Sequence, residues 1–287
     1  MDITKAVIAV AGSGTRLLPA TKSQPKEMLP LVDKPIIQYL VEELVEAGIK
    51  DIIMVTRWDK KPLEDHFDRS FELEHSLEKT GKLERLAEVQ RISNMANFIY
   101  VRQKGPYGNG TPILSAASLV KGEPFVYAFG DDLVKSRVSF TKQLVDLYKK
   151  EGAPVIGVQK VSKKEVEKYG IVKYRKGTQE LEDIVEKPPR DKAPSLHADF
   201  GRMILTQDIV DILKRTERGL GDELWIIDAI RNYIHEGGRF MAKEVEDGQW
   251  ITTGDPLSYL KATIEYALDR KDLNKELRKY LGERLAR

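Results

Sequence analysis

The chain has 287 residues, 47 basic against 45 acidic side chains, and no cysteine. A net charge of +2 spread along the sequence argues against nucleic acid as a partner, because phosphate-backbone binding needs a concentrated basic face. No apolar run reaches membrane-spanning length and the first thirty residues lack a signal peptide's apolar core, so we expect no membrane partner and a cytoplasmic location, which the lack of cysteine fits.

The length suits one large α/β domain, or one domain with an appendage. Strand-like runs alternate with helix-like ones through the first half, which predicts parallel strands joined by crossover helices. The first strand is expected over residues 5–11 and is followed by Gly12-Ser13-Gly14-Thr15-Arg16. Residues 35–47 predict a helix, with Ile36, Ile37, Leu40, Leu44 and Val45 on one stripe and Gly48 as the stop. A strand at 51–56 comes next, then an amphipathic helical stretch over 71–92, inserted before a strand at 97–102. A helix over 111–120, opened by Gly110, Thr111 and Pro112, leads to a strand at 124–129, and a fifth strand falls at 153–158.

Past residue 160 the pattern changes. "GIVKYRKGTQELEDIVEK" holds two strand-like runs about a Lys-Gly-Thr turn, an antiparallel hairpin on the sheet. Helices at 206–215 and 223–236 and a strand at 240–245 follow, and 256–287 is helical, heavily charged, and expected at the periphery or against another subunit. The fold class is α/β: a Rossmann-like, open, mostly parallel mixed sheet with flanking helices, an antiparallel hairpin in the second half and a C-terminal helical segment.

The segments just past the strands carry the chemistry, since ligands of open parallel sheets bind outside the carboxyl ends of strands. Two glycines expose backbone N–H groups to phosphate oxygens, and Arg16 and Lys26 bring cations to the same place. Lys26 is held in a loop stiffened by Pro25 and Pro30, whereas Lys22 reads as a solvated surface residue. Past the third strand come Gln103 and the glycine-rich "KGPYGNG"; past the fourth, Gly130-Asp131-Asp132. Carboxylates beside a phosphate site make sense when Mg2+ joins them, because without the metal they would repel the ligand. The dinucleotide fingerprint fails at Leu17, where it needs a glycine, and no Gly-Lys-Ser/Thr completes a P-loop. The turn is therefore expected to accept a triphosphate and the following cationic loop to face a leaving pyrophosphate.

"GSGTRLLPATKSQPKEMLPLVDKPIIQY" resembles the signature of the sugar-1-phosphate nucleotidyltransferases, and "VRQ", "YGIV", "IVEKP" and "GDELWIIDAI" fall in that family's order along nearly the whole chain. "SFELEHSLEKTGKLERLAEVQRI" is similar to an insertion of the uridylyl-transferring branch that the thymidylyl-transferring branch lacks. The resemblance implies an enzyme joining UTP and glucose 1-phosphate into UDP-glucose and pyrophosphate, with Mg2+ as cofactor and a homodimer or homotetramer as assembly. It further implies a catalytic domain over 1–249, with a nucleotide-binding half at about 1–150 and a sugar-phosphate-binding half at about 151–249, and a helical segment over 250–287 that packs on it or contacts a second subunit.

Carried over residue by residue, Ala11 and Gly12 meet the nucleotide through their backbone and Gly14 lets the turn approach the phosphates. Arg16 and Lys26 hold and polarise the triphosphate, Glu27 lies in the nucleotide pocket, and Gln103 and Gly108 read the uracil edge. Asp131 is the Mg2+ ligand and Asp132 is placed for a hydroxyl of sugar or ribose. Gly170 and Glu186 contact the glucose hydroxyls, and Lys187 binds the sugar phosphate. Three positions depart from the family pattern: Thr252 in "WITTGDP" replaces an Asp, Gly130 replaces a Pro, and "GNGTPIL" replaces a "GLGHAV"-like run. Thr252 leaves one carboxylate, Asp131, where the family offers two; Asp255, three residues on, is wrongly spaced to stand in. A sibling nucleotidyltransferase of other specificity, and a non-catalytic nucleotide-sugar sensor, are the competing readings.

Overall fold

The computed structural model describes residues 2–286. Its centre is a nine-stranded mixed sheet. Across it lie Leu181–Glu186, Gly170–Tyr174, His197–Leu205, Phe125–Phe129, Lys5–Ala9, Asp51–Thr56 and Asn97–Arg102, in that order, while Val155–Lys160 joins His197–Leu205 to Met241–Glu244. Only His197–Leu205 and Leu181–Glu186 run against the common direction, so the sheet is mostly parallel with the hairpin at its edge.

The period of two along each strand feeds two cores, one on each face. Ala6, Ile8, Ile52, Met54, Val126 and Ala128 point to a core completed by the helices Ile36–Glu46 and Phe140–Glu151. Val7, Ile53, Val55, Phe125 and Tyr127 point to the other, closed by Thr111–Ala116, Gln207–Arg215 and Ile226–His235. With both faces covered, the functional openings are left to the strand ends.

Several boundaries differ from the sequence expectation. The first strand stops at Ala9, where the chain must turn into the glycine segment, and the fifth runs over Val155–Lys160. The stretch 71–92 is two helices, Phe71–Lys79 and Leu83–Ser93, broken where Gly81 adopts φ 71°. The helix expected over 111–120 keeps α geometry only to Ala116 and tightens into a 3-10 turn at Ala117–Leu119. The helices Lys61–Phe67 and Phe140–Glu151 and the long strand His197–Leu205 were not anticipated. That strand hides itself, because Asp199, Gly201 and Arg202 interrupt its apolar pattern.

A separate ribbon pairs Asp132–Ser136 with Gly248–Thr252, Thr252 opposite Asp132. The 249/250 limit falls inside this ribbon. Beyond it, the helix Pro256–Asp269 packs onto the N-terminal loop: the Tyr259 hydroxyl donates to the Pro30 carbonyl at 2.6 Å, the Tyr266 and Tyr39 rings lie 4.5 Å apart, and Arg270, just past the helix, pairs with Asp33 at 2.8 Å. Among the described residues no helix is long and apolar enough to cross a membrane.

Candidate active site

A cleft of about 430 Å³ opens at the strand ends, and every sequence-predicted site residue except Gly14 lines it. Gly14 instead turns the chain at φ 66°, and its carbonyl accepts the Thr21 hydroxyl at 2.8 Å, which fixes the turn that presents Ala11 and Gly12.

Lys26 Nζ lies 2.6 Å from Asp131 Oδ2 at the partly exposed wall of the cleft. A Cβ placed on Gly12 would meet Lys26 Nζ at 3.8 Å, so the ammonium sits directly over the glycine turn. Burial works against the Lys26 charge, but Asp131 and Glu27 outweigh it and hold the ammonium above the usual lysine range. For Asp131, burial pushes upward and is overcome by Lys26, then Arg16, which keep the carboxyl below its ordinary value. Charged at neutral pH, the two neutralise one another until an anion arrives.

Behind them Glu27 and Lys60 form a fully buried ion pair at 2.9 Å. Lys60 follows the Asp51–Thr56 strand and escaped the sequence reading. Burial raises the Glu27 carboxyl against the pull of Lys60 and Lys26. Its second oxygen, Oε1, is buried without a hydrogen-bond partner, in a residue that also lines the cleft.

The Gly-rich loop after Asn97–Arg102 is pinned across the cleft. Leu224 N donates to the Tyr107 carbonyl, Gly110 N donates to the Leu224 carbonyl, both at 2.8 Å, and Asn109 Oδ1 accepts from Ile226 N at 2.9 Å. Gly108 has φ 122°, and a Cβ there would fall 2.2 Å from the Leu224 carbonyl oxygen, so only glycine passes between the two walls. The segment carrying Gln103 and Gly108 is thereby tied to the one carrying Trp225.

Asp132 is tied into the wall: Oδ1 accepts from the Trp250 indole at 2.9 Å and Oδ2 from Gly201 N at 3.3 Å. Burial and then the Asp131 charge push its carboxyl up to about 6. Trp250 stacks on Phe200 at 5.3 Å and meets Tyr169 edge-on at 5.0 Å, an aromatic floor in the cleft. Behind Asp132, the fully buried Arg202 donates through Nη2 to the Asp132 carbonyl at 3.0 Å and through Nη1 to Glu43 at 2.7 Å and Thr141 at 3.0 Å.

Lys187 Nζ lies 3.3 Å from Glu186 and 4.0 Å over the Trp225 ring, and its backbone is held at φ 43°. Gly170 lies against two carboxyls: a Cβ there would meet Asp199 at 2.6 Å and Glu186 at 3.3 Å. Burial raises Glu186 despite Lys187, and burial with the nearby Glu186 raises Asp199 well above the carboxylate range. Such a group stabilises the fold only while protonated, so its contribution is present at low pH and lost as pH rises through the raised value. Asp199→Asn is therefore expected to raise the melting temperature at pH 7.5, with the advantage shrinking towards pH 4. Melting curves across that range check it, and an equal shift at both ends would refute it.

Asp199, Trp225 and Trp250 were missed by sequence reasoning. The available signal was a charged residue inside a buried strand for Asp199, and a tryptophan inside the quoted "GDELWIIDAI" for Trp225. Of the departures, Gly130 has a local cause: a Cβ there would meet Val10 at 2.7 Å and Glu27 at 3.0 Å. Thr252 lies beside Asp131, since a Cβ on Gly254 would find Asp131 Oδ2 at 3.2 Å and Thr252 Oγ1 at 3.6 Å. Thr253 fastens this segment by donating from backbone and hydroxyl to the Asp131 carbonyl at 3.0 and 2.8 Å.

The sequence profile of the nucleotidyl transferases matches residues 5–268. UTP–glucose-1-phosphate uridylyltransferase YngB of Bacillus subtilis is 44% identical over 99% of this chain and 96% of its own length. The Staphylococcus epidermidis UTP–glucose-1-phosphate uridylyltransferase is 43% identical over 98% of each chain. Among solved structures, UTP-bound UGPase from Acinetobacter baumannii superposes with a TM-score of 0.90 at 38% identity, covering 98% of this chain and 99% of that one. A UDP-glucose pyrophosphorylase complexed with UDP-glucose gives 0.84 at 39% identity, covering 94% of this chain and all of the other.

Proposed function

The chain belongs to the nucleotidyl transferase family, and from that premise we propose that it joins UTP and glucose 1-phosphate into UDP-glucose and pyrophosphate in the cytoplasm. The observation that carries the reading is the division of one cleft into a cationic phosphate wall at Arg16 and Lys26 and a separate sugar wall at Gly170, Glu186 and Lys187. A phosphate oxygen of glucose 1-phosphate attacks the α-phosphorus of UTP; the new P–O bond forms as the bond to the β-phosphate breaks, and pyrophosphate departs with the electron pair. No side-chain nucleophile is required. Lys187 holds the attacking phosphate, Arg16 and Lys26 hold the triphosphate, and Asp132 keeps Trp250 in place under the sugar. Glu27, anchored by Lys60, supports the Lys26 ammonium from behind, and Gln103 and Gly108, which line the same cleft, would read the uracil edge.

The donor set fits a hard divalent cation held through few protein ligands. Asp131 offers one carboxylate and Thr252 a neutral hydroxyl, and among the described residues no three acidic or imidazole groups converge. Mg2+ would be held by Asp131 together with substrate phosphates, and would supply charge neutralisation at the reacting phosphate. Thr252→Asp should then lower the Mg2+ concentration for half-maximal rate, because the second oxygen beside Asp131 becomes charged. A titration with the same midpoint in both proteins would place position 252 outside the metal's reach.

Pyrophosphate release over a panel of nucleoside triphosphates and sugar 1-phosphates tests the reading, with UTP and glucose 1-phosphate expected to give the highest kcat/KM. Binding of both without turnover would make the protein a sensor, and preference for another pair would make it a sibling transferase. Lys187→Ala should raise the KM for glucose 1-phosphate roughly ten- to a hundred-fold, the loss of a charge-assisted hydrogen bond, while the KM for UTP changes little. Equal changes in both would remove Lys187 from the sugar phosphate.

A further inference from the structure

A second chamber, of about 650 Å³, opens off the cleft between Arg16 and Thr252 on one side and the loop 160–168 on the other. Arg16, Lys168 and Lys187 stand on the rim common to both spaces, and Lys160 lies in the annex alone. Its two carboxylates are already engaged. Asp255 caps the helix Pro256–Asp269, accepting from Leu257 N, Ser258 N and the Ser258 hydroxyl. Glu165 accepts from the backbone and hydroxyl of Ser162 at 3.2 and 2.6 Å. By contrast, among the described residues the side chains of Arg16, Lys160 and Lys168 form no ion pair. The cations outnumber the two carboxylates, which keep their charge while held in those hydrogen bonds, so the chamber carries a net positive charge suited to a small polyanion.

We propose that this annex is a pyrophosphate station. Resting on the uridylyl-transfer reading of the cleft, it holds the diphosphate after it leaves the α-phosphorus and receives it first when the reaction runs backwards. Arg16 faces both spaces, so pyrophosphate held by it in the cleft passes to Lys168 and Lys160 without losing all its counter-charges at once. In reverse, a pyrophosphate oxygen attacks the α-phosphorus of UDP-glucose and glucose 1-phosphate leaves with the electron pair. Lys160 and Lys168 touch neither reacting atom in this scheme; they set the affinity for the diphosphate alone.

The experiment is steady-state kinetics in both directions on the parental protein and on Lys160→Ala/Lys168→Ala. Both side chains are exposed and unpaired, so their loss strands no partner. In the reverse direction the KM for pyrophosphate should rise about tenfold, with the KM for UDP-glucose unchanged. In the forward direction inhibition by added pyrophosphate should weaken by a similar factor, with the KM for glucose 1-phosphate unchanged. Lys160→Arg/Lys168→Arg should restore the parental values. An unchanged KM for pyrophosphate overturns the proposal, as does a selective rise in the KM for glucose 1-phosphate, which would make the annex the access route of the sugar phosphate. A parental protein without turnover in either direction would instead sink the transferase reading itself.

Discussion

Asp131→Ala is expected to cut pyrophosphate release by about a thousand-fold or more while leaving the protein folded. Among the described residues this carboxylate pairs directly with Lys26, and its neighbours are poor substitutes: Thr252 carries no charge, Asp132 is committed to Trp250 and Gly201, Glu27 is buried against Lys60, and Asp255 caps a helix. The fold tolerates the change because the Lys26–Asp131 pair lines a water-accessible cleft, where an unpaired ammonium can be hydrated; a loss of about 1–2 kcal/mol is the scale. Asp131→Asn, which keeps the shape and removes the charge, should be nearly as inactive. Turnover within about threefold of the parental protein in either variant, or full activity in excess chelator, would take Asp131 out of the reaction.

The phosphate half of the site was legible in the sequence because its residues are contiguous and punctuated. Two glycines and a proline-bounded lysine follow an apolar run, and an Asp pair ends another, so strand, turn and charge can be read from neighbours. The sugar half was legible only through the family signature, as Glu186 and Lys187 alone describe any exposed strand end. What stayed hidden depends on pairing between distant segments. Asp132–Ser136 becomes a strand because Gly248–Thr252 lies beside it, and this register sets Thr252 opposite Asp132, next to Asp131. Asp199 and Arg202 break the pattern of the strand they occupy, since each serves a partner brought in from elsewhere: Gly170 and Glu186 for one, Glu43, Thr141 and Asp132 for the other. Local propensity registers them as interruptions. The pairing of that strand with Val155–Lys160 shifts register over the same stretch, between Asp199 and Met203.

Arg202→Met should be the most destabilising single change among the residues behind the site, costing about 3–5 kcal/mol, because it breaks a buried ion pair from one side. Arg202 has no exposed surface, and Glu43 is nearly as enclosed. With the guanidinium gone, Glu43 keeps the Thr141 backbone and hydroxyl bonds at 2.9 and 2.7 Å but no counter-charge, and the Asp132 carbonyl loses its donor. The pair itself is a poor bargain energetically, since Arg202 Nε is buried with no acceptor. Arg202→Met/Glu43→Leu should therefore lose less than the sum of the two single changes, recovering at least about 1 kcal/mol in a double-mutant cycle read from urea midpoints. Strict additivity would mean that the guanidinium acts through packing alone. On the proposed role of Asp131 in holding Mg2+, the double variant should also need more of the ion than the parental protein, because Arg202 fixes the Asp132 carbonyl next to Asp131, and filling the hole with methyl groups restores volume without restoring that anchor.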